Sequence, residues 1–123
     1  RAVYPEENVL IAEAGVLLCR VTQTKQKGGV RYIGLDAGMN TLVRPAMYGA
    51  RHPIVNLSWP DAALAGPHEV VGMICESGAA FGHDVDLPET HEGDVIAIAT
   101  AGAYGASMAS RYNLREPAEE TIL

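Results

Sequence analysis

Cysteine is scarce in this chain, and what there is lacks the spacing of a metal site. Cys19 and Cys75 are the only two. They form no CxxC pair and no Cys/His ligand pattern, which argues against zinc. His52, His68, His83 and His91 are dispersed without HxxxH spacing, so surface or turn roles fit them better than metal ligation. Few cysteines and no signal sequence fit a reducing cytoplasm. Apolar runs are short as well, and none reaches the roughly 18 residues that read as a membrane-spanning helix. Basic residues are few and scattered, nine Lys and Arg against fifteen Asp and Glu, for a net charge of −6. That leaves no clustered basic surface for nucleic acid. There is no GxGxxG or GKS/T motif, which excludes the dinucleotide and P-loop fingerprints. No internal repeat or low-complexity segment is present. The chain opens on Arg1-Ala2-Val3-Tyr4-Pro5 without Met, which reads as an excised or processed fragment.

What is present is enough for one small domain. The chain has 123 residues, 48% of them apolar, so a core forms but buries a limited share of the surface. Residues 9–24 are rich in Val, Leu, Ile and Ala and read as two extended segments joined at Gly15. Lys27-Gly28-Gly29 is a hairpin signal, and 31–36 returns as a strand. Residues 41–48 suit a helix of one or two turns, because Pro45 is tolerated only in a first turn. A strand over 52–59 closes at Pro60. A loop follows over 61–67, and a strand over 69–74 delivers Cys75. Residues 78–94 carry Gly78, Gly82, Asp84, Asp86, Pro88 and Gly93 and read mostly as turns. The clearest strand is 95–100, a helical turn suits 107–112, and a last strand suits 118–123. Short strands with glycine-rich turns predict an all-β fold, a Greek-key-like barrel or sandwich with one or two helical turns.

Several residues carry chemistry. Cys75 ends an apolar strand and precedes Glu76 and Gly78. An exposed thiol of tuned pKa donates protons near neutrality, whereas a buried one is a small hydrophobe. The charge and glycine after Cys75 favour the first reading, and the bare context of Cys19 favours the second. Glu76 suits an ammonium partner through charge-assisted hydrogen bonds, or is a solvated turn carboxylate. Arg44 and Tyr48, four apart, share a face if the segment is helical. A guanidinium there can grip a carboxylate with two parallel bonds; the plain alternative is surface packing. Tyr104 lies between Gly102 and Gly105, which permit close backbone approach to a ligand, or it is a structural turn tyrosine.

Successive motifs carry a family resemblance over nearly the whole chain. They are Ala12-Glu13-Ala14-Gly15-Val16-Leu17-Leu18, Asp36-Ala37-Gly38-Met39-Asn40, Arg44-Pro45-Ala46-Met47-Tyr48, Cys75-Glu76-Ser77-Gly78, and the run from Gly102-Ala103-Tyr104-Gly105 to Ser110. The ending Arg111-Tyr112-Asn113-Leu114-Arg115 also fits. In this order they resemble the C-terminal β-domain of diaminopimelate decarboxylases, including forms fused to an aspartate kinase. The resemblance implies that residues 1–123 are the β-domain of a fold-type-III pyridoxal-phosphate (PLP) decarboxylase. Such enzymes convert meso-diaminopimelate to lysine and CO₂. The Schiff-base lysine lies on a separate (β/α)₈ barrel absent from this chain, and the enzymes work as homodimers. By the resemblance, Cys75 reprotonates the substrate carbon after CO₂ leaves. Glu76 binds the distal amino group in the partner subunit's site, and Arg44 and Tyr48 hold the distal carboxylate. Tyr104 contacts cofactor and substrate. The chain departs from the family at two places. Pro5-Glu6-Glu7-Asn8 stands where the family has Glu-Pro-Gly-Arg, and Ala79 stands where it has Asp. These departures leave open an inactive relative serving as a regulatory or subunit-binding module. A related decarboxylase for another basic amino acid is a further alternative.

Overall fold

The computed structural model describes residues 10–76 and 78–123. Its six strands form one sheet in the order β3-β6-β1-β2-β4-β5. They are β1 (Leu17–Lys27), β2 (Val30–Leu35), β3 (Ile54–Asn56), β4 (Leu64–Val71), β5 (Ala80–Pro88) and β6 (Val95–Ile98). The two sheet edges approach each other. A Cβ built on Gly82 of β5 would lie 3.0 Å from Ile54 Cδ1 of β3. The sheet is thus nearly closed into a barrel, as the all-β expectation required, and closure limits exposed strand edge.

Alternation fills the interior. Cys19 and Val21 point inward from β1 while Leu18 and Arg20 face out, the two-residue period of a strand. Ile33, Leu35, Val70, Phe81, Leu87, Ile96 and Ile98 complete a single core with Ile54, Ala37 and Leu42. The β1–β2 hairpin turns at Gly28 (φ 58°) and Gly29 (φ 79°), left-handed values that glycine adopts freely. The helix α1 (Arg44–Tyr48) carries Pro45 in its first turn and ends on Gly49, as the proline demanded.

The structure corrects several expected boundaries. Residues 10–14 are not a strand: Ala12–Ala14 form a single 3₁₀ turn, held where the Gly15 and Gly102 N–H groups donate to Ala12 O. Pro5-Glu6-Glu7-Asn8 lies outside the described residues. The expected 52–59 strand shrinks to Ile54–Asn56. The expected 61–67 loop already contains the start of β4, which ends at Val71, before Cys75. The largest correction is β5, where turn chemistry was expected. Its Asp84 and Asp86 are exposed, while Phe81 and Leu87 are buried. Pairing with β4 is irregular between His68 and Val70, and Asp84 takes φ 51°. Such a bulge breaks the alternation that identifies a strand. No strand forms over 118–123, where every residue is exposed. In place of one turn over 107–112 there are two, Ala106–Met108 and Tyr112–Leu114.

A buried carboxylate ties β3 to β6. Asp94 Oδ2 accepts from Asn56 Nδ2 at 3.0 Å and from the His91 N–H at 2.9 Å, and Oδ1 accepts from Trp59 Nε1 at 3.2 Å. Asn56 also donates to Thr90 Oγ1 at 3.1 Å. Burial pushes the Asp94 carboxyl up, but the hydrogen bonds from His91, Asn56 and Trp59 and the charge of His91 outweigh it, and the net shift is down. A lowered folded pKa gives stability that is fully present above the ordinary Asp range, near about 4, and lost as pH falls through the folded value. Asp94→Ala removes the acceptor of one buried Asn56 N–H and of the Trp59 indole N–H, and we expect a loss of about 2–4 kcal/mol at pH 7. Urea denaturation at neutral pH and at about pH 3 checks this. The loss is expected to shrink at the acid end.

Candidate active site

Strand direction brings the candidate residues together. β1 runs antiparallel to both β2 and β6, while β4 runs parallel to β2. β2, β4 and β6 therefore point the same way, and their C-terminal ends share one end of the barrel. α1, with Arg44 and Tyr48, follows β2. Cys75 and Glu76 follow β4, and Tyr104 follows β6.

The segments after β2 and β4 touch through main chain. The Met73 N–H donates to Ala37 O at 3.0 Å. A Cβ on Gly72 would sit 2.9 Å from both Ala37 O and Gly38 Cα, and one on Gly38 would sit 2.5 Å from Ile74 Cγ1. Neither side has room for a side chain, so both glycines serve close approach. The Glu76 N–H then donates to Ile74 O at 2.9 Å, a three-residue turn centred on Cys75. The Ala79 N–H donates to Glu76 O at 3.1 Å, and the Gly72 N–H donates to Ala79 O at 2.9 Å. Both bonds at Ala79 are main-chain, so this closure does not depend on the side chain that departs from the family pattern.

Arg44 is the hub of the aromatic part. Its guanidinium carbon lies 5.5 Å from the Tyr48 ring centre and 5.6 Å from that of Tyr104. Both are within cation–π range, and the Arg44–Tyr48 pair confirms their shared helix face. Tyr104 holds φ 58°, a left-handed conformation that non-glycine residues adopt at a cost of about 1 kcal/mol or more. Its loop is anchored nearby, where the Ser110 N–H donates to Asn40 O at 2.8 Å.

The two thiols differ sharply. Cys19 is buried, and burial, with the charge of Asp36 adding to it, pushes its thiol up to about 12. It stays protonated and inert, in line with its core reading. Cys75 is exposed and free. Glu76 beside it lines a hollow of about 280 Å³ with Met39, Val43, Ala46, Met47 and Tyr112. Sequence reasoning gave Tyr112 no role. Its hydroxyl donates to Glu76 Oε1 at 2.6 Å. The hydrogen bond and the carboxylate charge push the Tyr112 phenol above its usual range. A tyrosine this far from Glu76 in the chain gives no local pattern; only the shared sheet end joins them.

This fold and site place the chain in a known class. Residues 9–102 match the sequence model of the pyridoxal-dependent decarboxylase C-terminal sheet domain. The chain belongs to that family. It is 47% identical to a diaminopimelate decarboxylase of Methanothermobacter thermautotrophicus over 92% of its length, which is 26% of that protein. Its structure matches that of diaminopimelate decarboxylase from M. jannaschii with a TM-score of 0.82, at 42% identity, covering 88% of this chain and 24% of that one. The Helicobacter pylori diaminopimelate decarboxylase complexed with L-lysine matches with a TM-score of 0.78 at 42% identity, covering 86% and 26%. The chain thus spans about a quarter of the length of these relatives.

The Gly72 contact gives a test of the framework. Gly72→Ala forces main chain apart and is expected to cost about 1–3 kcal/mol, as overpacking does. Thermal unfolding of the variant checks this; an unchanged midpoint would show that the two segments are not locked together.

Proposed function

We propose that this chain is the β-domain of a PLP-dependent diaminopimelate decarboxylase, which releases CO₂ from meso-diaminopimelate to give L-lysine. The observation that carries the reading is the placement of a cationic Arg44 and an anionic Glu76 around one short helix. Val43, Ala46 and Met47 of that segment line the hollow that holds Glu76, and Arg44 lies between two tyrosines. In the homodimer, with Glu76 reaching the partner subunit's site, the two subunits together supply both signs, which suits a substrate end that carries both a carboxylate and an ammonium. Ornithine and arginine lack that distal carboxylate, which disfavours them. Ala79 is tied through main chain alone, which gives the inactive-module reading no support from the turn.

PLP, when bound, supplies the electron sink for breaking the bond to the α-carboxylate. The residues here fit a cofactor held from another domain. The chain's lysines are Lys25 and Lys27, both on β1 beside the hairpin at the end opposite the site. Tyr104 offers a phenol to the cofactor, and the Schiff-base lysine comes from the barrel domain. The working unit is a homodimer of two-domain subunits in the cytoplasm.

Each residue has a part. Arg44, with Tyr48, grips the distal carboxylate. Glu76 accepts from the distal ammonium. Tyr104 orients cofactor and substrate. The Cys75 thiol holds the proton delivered to the α-carbon as CO₂ departs, and its thiolate recovers a proton from solvent. In the complete PLP-loaded enzyme, Cys75→Ala is expected to lower kcat for diaminopimelate by about 10²-fold or more. CO₂ release would be measured with ornithine and arginine alongside. Turnover of ornithine or arginine in preference to diaminopimelate would overturn the substrate assignment. An unchanged kcat would remove Cys75 from the chemistry.

A further inference from the structure

Glu76 does not stand alone at its site. Among the described residues, the side chain that donates to it is Tyr112, through a phenol hydrogen bond of 2.6 Å to Oε1. Glu76 and Tyr112 close one side of the hollow, and Met39, Val43, Ala46 and Met47 line much of the rest. Among the described residues, these walls offer no competing polar side chain. With Oε1 engaged, Oε2 is the oxygen left for a ligand.

The backbone around Tyr112 is built to hold it there. Asn113 and Leu114, directly after it, take φ 56° and 57°. Consecutive left-handed residues, one of them leucine, are costly and persist only where surrounding structure fixes them. The turn is pinned by the Tyr112 N–H donating to Ser110 Oγ at 3.3 Å and the Leu114 N–H donating to Arg111 O at 2.8 Å. Arg111 pairs with Glu116 at 3.1 Å across it.

We propose that Tyr112 is a positioning residue. Its hydroxyl fixes the rotation of the Glu76 carboxylate, so that the free oxygen meets the distal ammonium of the substrate. This rests on the reading of Glu76 given above. The raised pKa of the phenol keeps it a donor across the neutral range and into alkali. A freely rotating glutamate would have to be ordered by each arriving substrate, and a held one is preorganised. The contribution falls on binding rather than on the step at the α-carbon, so it appears in KM and not in kcat.

The test is a double-mutant cycle in the complete PLP-loaded enzyme, with diaminopimelate as substrate. Tyr112→Phe keeps the ring and removes only the hydroxyl. We expect KM to rise about tenfold, from the loss of a hydrogen bond to a charged group, with kcat and the unfolding temperature essentially unchanged. In a Glu76→Gln background the same change should have little further effect, because its target is already altered. An unchanged KM in Tyr112→Phe, with a raised KM in Glu76→Gln, would overturn the proposal and leave the role of Glu76 standing. An equal rise in both backgrounds would mark Tyr112 as structural and overturn it too. An unchanged KM in Glu76→Gln would remove both the ammonium assignment and the role of Tyr112.

Discussion

The parallel pairing of β2 with β4 is the constraint on which the site depends. In an otherwise antiparallel sheet it sets two strand ends, and the loops they release, side by side. Had β4 paired in the opposite sense, Cys75 and Glu76 would emerge at the hairpin end, a barrel's length from α1. Direct packing of main chain on main chain at Gly38 and Gly72 then converts this proximity into contact. Parallel neighbours require a long crossover, and here the crossover carries α1.

Residues alone indicated the all-β fold and some local geometry better than the strand boundaries. Arg44 and Tyr48 were legible because four-residue spacing has one meaning on a helix, and Pro45 set the helix length. The hairpin was legible from its paired glycines. β5 was not, because Gly82, Asp84, Asp86 and Pro88 mimic turn composition, and a bulge hides their period. Residues 10–14 misled in the other sense: apolar residues there settle into a 3₁₀ turn against Gly102, a contact across the length of the chain. Tyr112 was invisible for the same reason, since its partner is 36 positions away.

Electrostatics at the site are arranged by neighbours rather than by depth. Arg44 is half-buried and flanked by rings rather than carboxylates, so its charge is not spent on an ion pair among the described residues. Glu76 is exposed and, among the described residues, receives one side-chain hydrogen bond, from the Tyr112 phenol. Both groups therefore keep their net charge available to a ligand. Asp94 is the contrast: its carboxylate is buried and met by donors on both oxygens, and it serves the fold. The thiols divide in the same way, Cys19 inside and Cys75 outside.

The location of the two lysines has a practical side. Lys25 and Lys27 are exposed on β1, at the pole away from the loops that follow β2, β4 and β6. Tethering the domain to a surface through its lysine amines would therefore hold it by its base. The opposite pole, with Arg44, Cys75 and Glu76, would face the solution.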